Sequence, residues 1–413
     1  MLKSEQYRNP TLRIHGLKKS WERRELGEFL SFKNGINAEK EAYGSGYKFI
    51  NVLDIINNDY IIHESILGSV TVDEKTFIKN EVVYGDILFQ RSSENRKEAG
   101  QSNVYLDSNR SATFGGFVIR GRTKKEFNSV YLHYLLKSAY ARKEITTKSG
   151  GSTRYNVGQD TLSAVNIYIC DDLNEQQKIA DFLSSVDKKI SQLKEKHALL
   201  QQYKKGVMQQ IFTQQIRFKD DKGKAFADWK EKPLSSLLTL TLREIDKPEV
   251  NYMAIGVRSH MKGTFQKLDF DPETIAMEKM YVVRHNDLIV NITFAWEGAI
   301  AIVKKEDDGG LVSHRFPTYT FKKGQAIHEY FRHIISFKRF KYMLDVISPG
   351  GAGRNRVLSK KDFLALRWNM PCVEEQKKIA TFLGTLDTKI NLVAQQIEQT
   401  QQFKKGLLQQ MFV

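Results

Sequence analysis

Cysteine and proline are scarce in this 413-residue chain, with two of the first and seven of the second. Cys170 and Cys372 make no CxxC pair, so both are read as small buried hydrophobes of a reducing compartment. No two prolines are adjacent, which removes the Asn/Asp-Pro-Pro-aromatic motif of adenine methyltransferases. No apolar run nears the roughly 18 residues of a membrane span. The opening MLKSEQYRNPTLRIHG has no apolar signal-peptide core, so a cytoplasmic location is expected. The chain also lacks a GxxxxGK[ST] phosphate loop, a Gly-x-Ser-x-Gly elbow and an HExxH pair. His328 and His333 are five apart, off a common helical face, so no metal site is expected there. The "EQK" at 375–377 has no preceding Pro-Asp pair, and its residues are expected on a helix surface.

Against these absences stands a large excess of positive charge, +16 net, in a chain that is 41% hydrophobic and 11% aromatic. That composition fits two or three globular domains. The charge points to an acidic partner, nucleic acid being the obvious one.

The chain also repeats itself. "EQQKIADFLSSVDKKI" (175–190) returns as "EQKKIATFLGTLDTKI" (375–390), and "QQYKKG" (201–206) as "QQFKKG" (401–406). Over 175–212 against 375–412, 18 of 38 positions are identical. Ile179, Leu183, Val186, Ile190, Leu193, His197 and Leu200 step by four and three, as do Ile379, Leu383, Leu386, Ile390, Val393 and Ile397. This spacing predicts two long helices burying a seam against one another. Asn174 is the expected N-cap of the first, with Glu175 in its first turn. Gly206 and Gly406 imply either close helix approach or a local break. The duplicated polar residues Lys204, Lys205, Gln209, Gln210 and Lys404, Lys405, Gln409, Gln410 read as a docking face for partners.

Weaker echoes extend the repeat upstream. "WERRELGEFL" (21–30) resembles "WKEKPLSSLL" (229–238), "VYGDILFQRSS" (83–93) parallels "VRHNDLIVNIT" (283–293), and His133 aligns with His333. The expected class is α+β, with two α/β modules separated by two long antiparallel, coiled-coil-like helices related by a pseudo-twofold repeat. The expected segments are a first module at 1–172, a first helix at 173–217, a second module at 218–372 and a second helix at 373–413.

Candidate nucleic-acid contacts sit in glycine-rich loops. Arg91, Ser92, Arg96 and Lys97 lie in "FQRSSENRKEAGQSN". Arg154, Tyr155 and Asn156 lie in "KSGGSTRYN", and Arg354, Asn355 and Arg356 in "SPGGAGRNR". Glycine lets backbone approach a phosphate, arginine reads guanine bidentately, and asparagine reads adenine.

Two dissimilar modules separated by duplicated helices resemble the specificity subunit of type I restriction–modification systems. The "EQ-KIA-FL----D-KI" and "QQ-KKG---QQ-F" pairs and the tryptophan-led starts at Trp21 and Trp229 carry that resemblance, which spans nearly the whole chain. It implies a non-catalytic subunit serving defence against foreign DNA. Each module would be a target recognition domain reading half of a split double-stranded site. The helices would dock two modification (adenine methyltransferase) subunits and, with them, restriction subunits. S-adenosylmethionine, ATP and Mg2+ would sit on those partners and not on this chain. A DNA-binding regulator, or a scaffold with duplicated helices, remains open at this point.

Overall fold

The computed structural model describes residues 6–14, 20–348, 350 and 356–413. Two long helices, Leu173–Phe212 and Val373–Met411, match the repeated segments. The compact units divide inside these helices. One unit comprises Met1–Lys196 with Ala394–Val413, the other His197–Val393.

In the first unit the central sheet is antiparallel, ordered Leu30–Asn34, Val118–Thr123, Ile87–Gln90, Ser102–Val104. Its strand Ile87–Gln90 is buried along its whole length. Because successive side chains of a strand point to opposite faces, Ile87 and Phe89 enter the large core while Leu88 enters a second, smaller one. The other unit repeats the arrangement with Leu238–Leu240, Thr318–Phe321, Leu288–Val290 and Ile300–Ile302. There Leu288 and Val290 face one core and Ile289 the other. A continuous apolar run is what a strand covered on both faces requires.

Most heptad positions are buried as their spacing predicts: Ile179, Leu183, Val186, Ile190 and Leu193 in the first helix, and Ile379, Leu383, Leu386, Ile390 and Val393 in the second, while His197, Leu200 and Ile397 are half-buried. Within the first unit the two helices run antiparallel. Asp187 meets Lys404, while Glu175, near the start of one helix, shares Trp21 with Phe412 beyond the end of the other.

Three expectations need correction. The first helix is capped by Asp172, whose Oδ1 accepts from the amides of Asn174 (2.9 Å) and Glu175 (3.3 Å), so Asn174 lies inside the cap. Gly206 and Gly406 mark neither close approach nor a break. Both helices run through unbroken, and a Cβ added at either glycine would meet nothing within 4 Å beyond the local backbone of its own helix. Finally, Glu375 and Gln376 are buried, as are Glu175 and Gln176. Trp229 Nε1 (3.0 Å) and Arg217 Nη2 (2.9 Å) donate to Glu375, as Trp21 Nε1 (3.3 Å) and Arg13 Nη2 (2.7 Å) do to Glu175. The Gln376 amide donates to the carbonyls of Gln325 and Pro371, and that of Gln176 to the Cys170 carbonyl. The "EQ" pair thus locks each module onto the start of a long helix, and a carboxylate can be buried there because it is fully hydrogen-bonded. Cys170 is buried against Glu175, and burial plus that carboxylate push its thiol up to about 12; Cys372 is half-buried.

Candidate nucleic-acid interface

Strand Ile87–Gln90 leads directly into the loop that carries Arg91. Ser92–Ser93 then pairs with Tyr155–Asn156, bringing together two loops some sixty residues apart in sequence. Gly151 makes the second loop possible. Its φ is +113°, and a Cβ there would lie 1.9 Å from the Arg154 carbonyl oxygen.

The candidate arginines then separate by role. Arg96 Nε (3.1 Å) and Nη2 (3.3 Å) donate to the carbonyls of Thr146 and Thr147 near the end of helix Ala139–Lys148, and its guanidinium lies 5.9 Å from the Tyr155 ring centre. A cation on terminal carbonyls satisfies orphan acceptors and opposes the helix dipole. Arg96 and the half-buried Tyr155 therefore brace the loop. Arg91 is exposed, with Nη1 3.3 Å from the Gly116 carbonyl. Lys97, Arg154 and Asn156 are exposed, and Ser92 is half-buried. Arg154 has only a loose ion pair, 3.8 Å to Glu94.

In the other unit Arg356 does what Arg96 does in the first. Its Nη2 donates to the Asp345 carbonyl at 2.7 Å and its Nε to the Ser348 carbonyl at 2.9 Å, near the end of helix Lys338–Val346. Its guanidinium lies 5.1 Å from the Trp296 ring centre. Arg354 and Asn355 lie outside the described residues. Beside Arg356 a cavity of about 670 Å³ is lined by His260, Trp296, Lys338, Lys341 and Tyr342 among others. Sequence reasoning missed Trp296, Lys341 and Tyr342. The signal was present in the strand match, since Trp296 lies three residues beyond the "VRHNDLIVNIT" that parallels "VYGDILFQRSS".

Arg142 was also missed. Its guanidinium donates to the carbonyls of Gly100 (2.6 Å), Ala99 (2.7 Å) and Lys97 (3.0 Å). Burial with no carboxylate beside it lowers its pKa to about 10.

On the long helices, Lys205, Gln209, Gln210, Lys405, Gln409 and Gln410 are exposed. Lys204 and Lys404 are engaged within the chain, each 2.5 Å from an aspartate, Asp387 and Asp187 respectively. Among the described residues no group of His, Cys, Asp or Glu could hold a metal ion, and no helix is long and apolar enough to cross a membrane.

Two modules of one frame with different loop chemistry suit a protein that reads two different sequences. A family model, the type I restriction modification DNA specificity domain, matches residues 18–202 and again 228–402. The chain belongs to that family. It is a specificity subunit, the non-catalytic component of a type I restriction–modification complex, and DNA and the other subunits of such a system are its partners. It is 24% identical to a Methanocaldococcus jannaschii chain provisionally named the MjaX specificity subunit, over 96% of this chain and 93% of that one. It is 22% identical, with the same coverage, to the MjaVIII specificity subunit of the same organism. The solved S subunit of M. genitalium shares the fold, with a TM-score of 0.59 and 13% identity over 98% of this chain and 99% of that one.

Proposed function

We propose that each module of this specificity subunit reads one half of a bipartite double-stranded DNA site. The observation that carries this reading is the pair of loop clusters at the equivalent exit of each module's sheet, one around Gln90, Glu94 and Arg154, the other around Trp296, Lys338, Lys341 and Tyr342. A shared frame fixes how a module sits on DNA, and loop side chains choose the bases. Arg91, Ser92, Lys97, Arg154 and Asn156 belong to the first reading surface, and Arg354 and Asn355 to the second, with Arg96, Tyr155 and Arg356 as braces.

The exposed Lys205, Gln209 and Gln210, with Lys405, Gln409 and Gln410, form two equivalent docking faces for two modification subunits, with Lys204 and Lys404 holding the helices beneath. Restriction subunits join through that assembly. S-adenosylmethionine, ATP and Mg2+ are carried by those partners, and the complex works in the cytoplasm. The test is to purify this chain with its modification partner, measure the mass of the complex, and map methylated adenines. Two partner copies and one split recognition sequence are expected. A saturated one-to-one complex overturns the stoichiometry, and DNA binding without sequence preference overturns the reading role.

A further inference from the structure

The first module holds a cavity of about 510 Å³ lined by Gln90, Ser92, Ser93, Glu94, Asn95, Glu98, Phe117 and Arg154. Gln90 is only 4% exposed; its Nε2 donates to the Ser92 carbonyl at 2.9 Å, and its Oε1 is buried with no hydrogen-bond partner. A buried acceptor left unpaired is costly and calls for an explanation. Asn291 stands at the same strand exit in the second module, its amide donating to the Ala299 carbonyl as that of Gln90 does to the Gln101 carbonyl. It has none of this cost, because its Oδ1 accepts from the amide and hydroxyl of Thr293 at 3.1 and 2.7 Å. The unpartnered acceptor belongs to the first module's surface and not to the shared frame.

The rest of the lining has the same character. Glu98 accepts from Ser93 Oγ (3.1 Å) and Asn95 Nδ2 (3.3 Å), which fixes the walls. Glu94 stands at the rim with its side chain 86% exposed, 3.8 Å from the 68%-exposed Arg154. Phe117 stands at the same rim, 66% exposed. At its rim the cavity offers one carboxylate acceptor and one cationic donor, and it calls for a partner that donates and accepts side by side. In the major groove guanine presents two acceptors, O6 and N7, which arginine meets bidentately, while the paired cytosine presents an N4 amino donor, which a carboxylate accepts. Adenine and thymine pair an amino donor with acceptors that suit an amide better than an arginine–carboxylate pair.

We propose that Arg154 and Glu94 together read one G·C base pair in the half-site of the first module, Arg154 on the guanine and Glu94 on the cytosine amino group. Gln90, with its unpaired acceptor, forms part of the lining of the same cavity. The inference rests on the DNA-reading role proposed above and adds the identity of one base pair. Being a loose, exposed ion pair, Arg154–Glu94 contributes little to folding, so both residues can be changed without losing the module.

The experiment uses the complex of this chain with its modification partner and a set of duplexes in which each base pair of the mapped site is changed in turn. With the parental chain, one G·C pair in one half-site is expected to resist every substitution by about 10- to 100-fold in methylation rate. Arg154→Ala and Glu94→Gln should each erase most of that discrimination at the same pair, and Glu94→Gln, whose amide can also donate, should admit a T in place of the C. Loss of binding to all duplexes alike, with a shallower salt dependence, would make Arg154 a phosphate contact and overturn the inference. So would full discrimination by both variants, or effects at two different pairs. A parental complex with no sequence preference overturns the DNA-reading role, and this inference with it.

Discussion

Lys404 Nζ lies 2.5 Å from Asp187 Oδ1, and two hundred residues earlier Lys204 Nζ lies 2.5 Å from Asp387 Oδ1. The repeated hexapeptide supplies the lysine and the repeated "FL----D" segment the aspartate, so each copy of one motif completes the other. The two pairs differ in depth. Asp187 is 8% exposed in its side chain and also accepts from Tyr134 Oη at 2.7 Å, whereas Asp387 is 38% exposed. Removing one partner of a buried pair strands the other charge at a cost of about 3–5 kcal/mol, while an exposed pair is worth about 1 kcal/mol or less. Asp187→Ala should therefore destabilise the chain by about 3 kcal/mol in urea unfolding, and Asp387→Ala by about 1 kcal/mol. The double change Asp187→Leu with Lys404→Met should restore most of the loss. Equal effects of the two single variants would refute the difference in depth.

Both histidines of the repeat are buried beside these pairs. His333 is pushed down to about 4 by burial and by Lys204, with Arg332 also opposing its charge and Asp387, 3.9 Å away, favouring it. His133 is pushed down by burial, Lys137 and Lys404, and neither of its ring nitrogens has a hydrogen-bond partner. Between about pH 6.5 and 4 the unfolded chain binds protons that the folded chain refuses, so stability is complete above that window and falls as pH drops through it. His333→Leu should flatten the pH dependence by on the order of 2–3 kcal/mol over that window. Urea midpoints at several pH values measure it, and an unchanged slope would count against the buried neutral ring.

Gly206 and Gly406 sit in open helix, where alanine is favoured by about 1 kcal/mol. Gly206→Ala and Gly406→Ala should each raise the thermal midpoint of the isolated chain. If either variant also binds the modification subunit more weakly, that glycine leaves room for a partner.

Arg96 and Arg356 should behave as braces. Arg96→Ala and Arg356→Ala remove a cation from helix-terminal carbonyls, which costs about 0.3–1 kcal/mol at the exposed Arg96 and about 1 kcal/mol or more at the half-buried Arg356. Hydrogen exchange should quicken at 146–156 in the first variant and at 345–348 in the second. An unperturbed exchange pattern would return these arginines to the list of direct DNA contacts.

The sequence by itself determined the two long helices, the buried seam, the two-module plan and the family, because heptad spacing and a long repeat are one-dimensional patterns set by helical geometry. It also brought the glycine-rich loops to notice. Only the tertiary structure decided what each polar side chain does. Arg96 and Arg154 look alike in sequence, yet one is held by the carbonyls of a helix end about fifty residues away and the other has a loose ion pair at a cavity rim. Glu375, read from the sequence alone, belonged on a helix surface, but an arginine and a tryptophan from distant segments bury it, as another such pair buries Glu175. Whether a charge is braced or available depends on which partners lie within about 3 Å, and that distance is set by the packing of elements far apart in the chain.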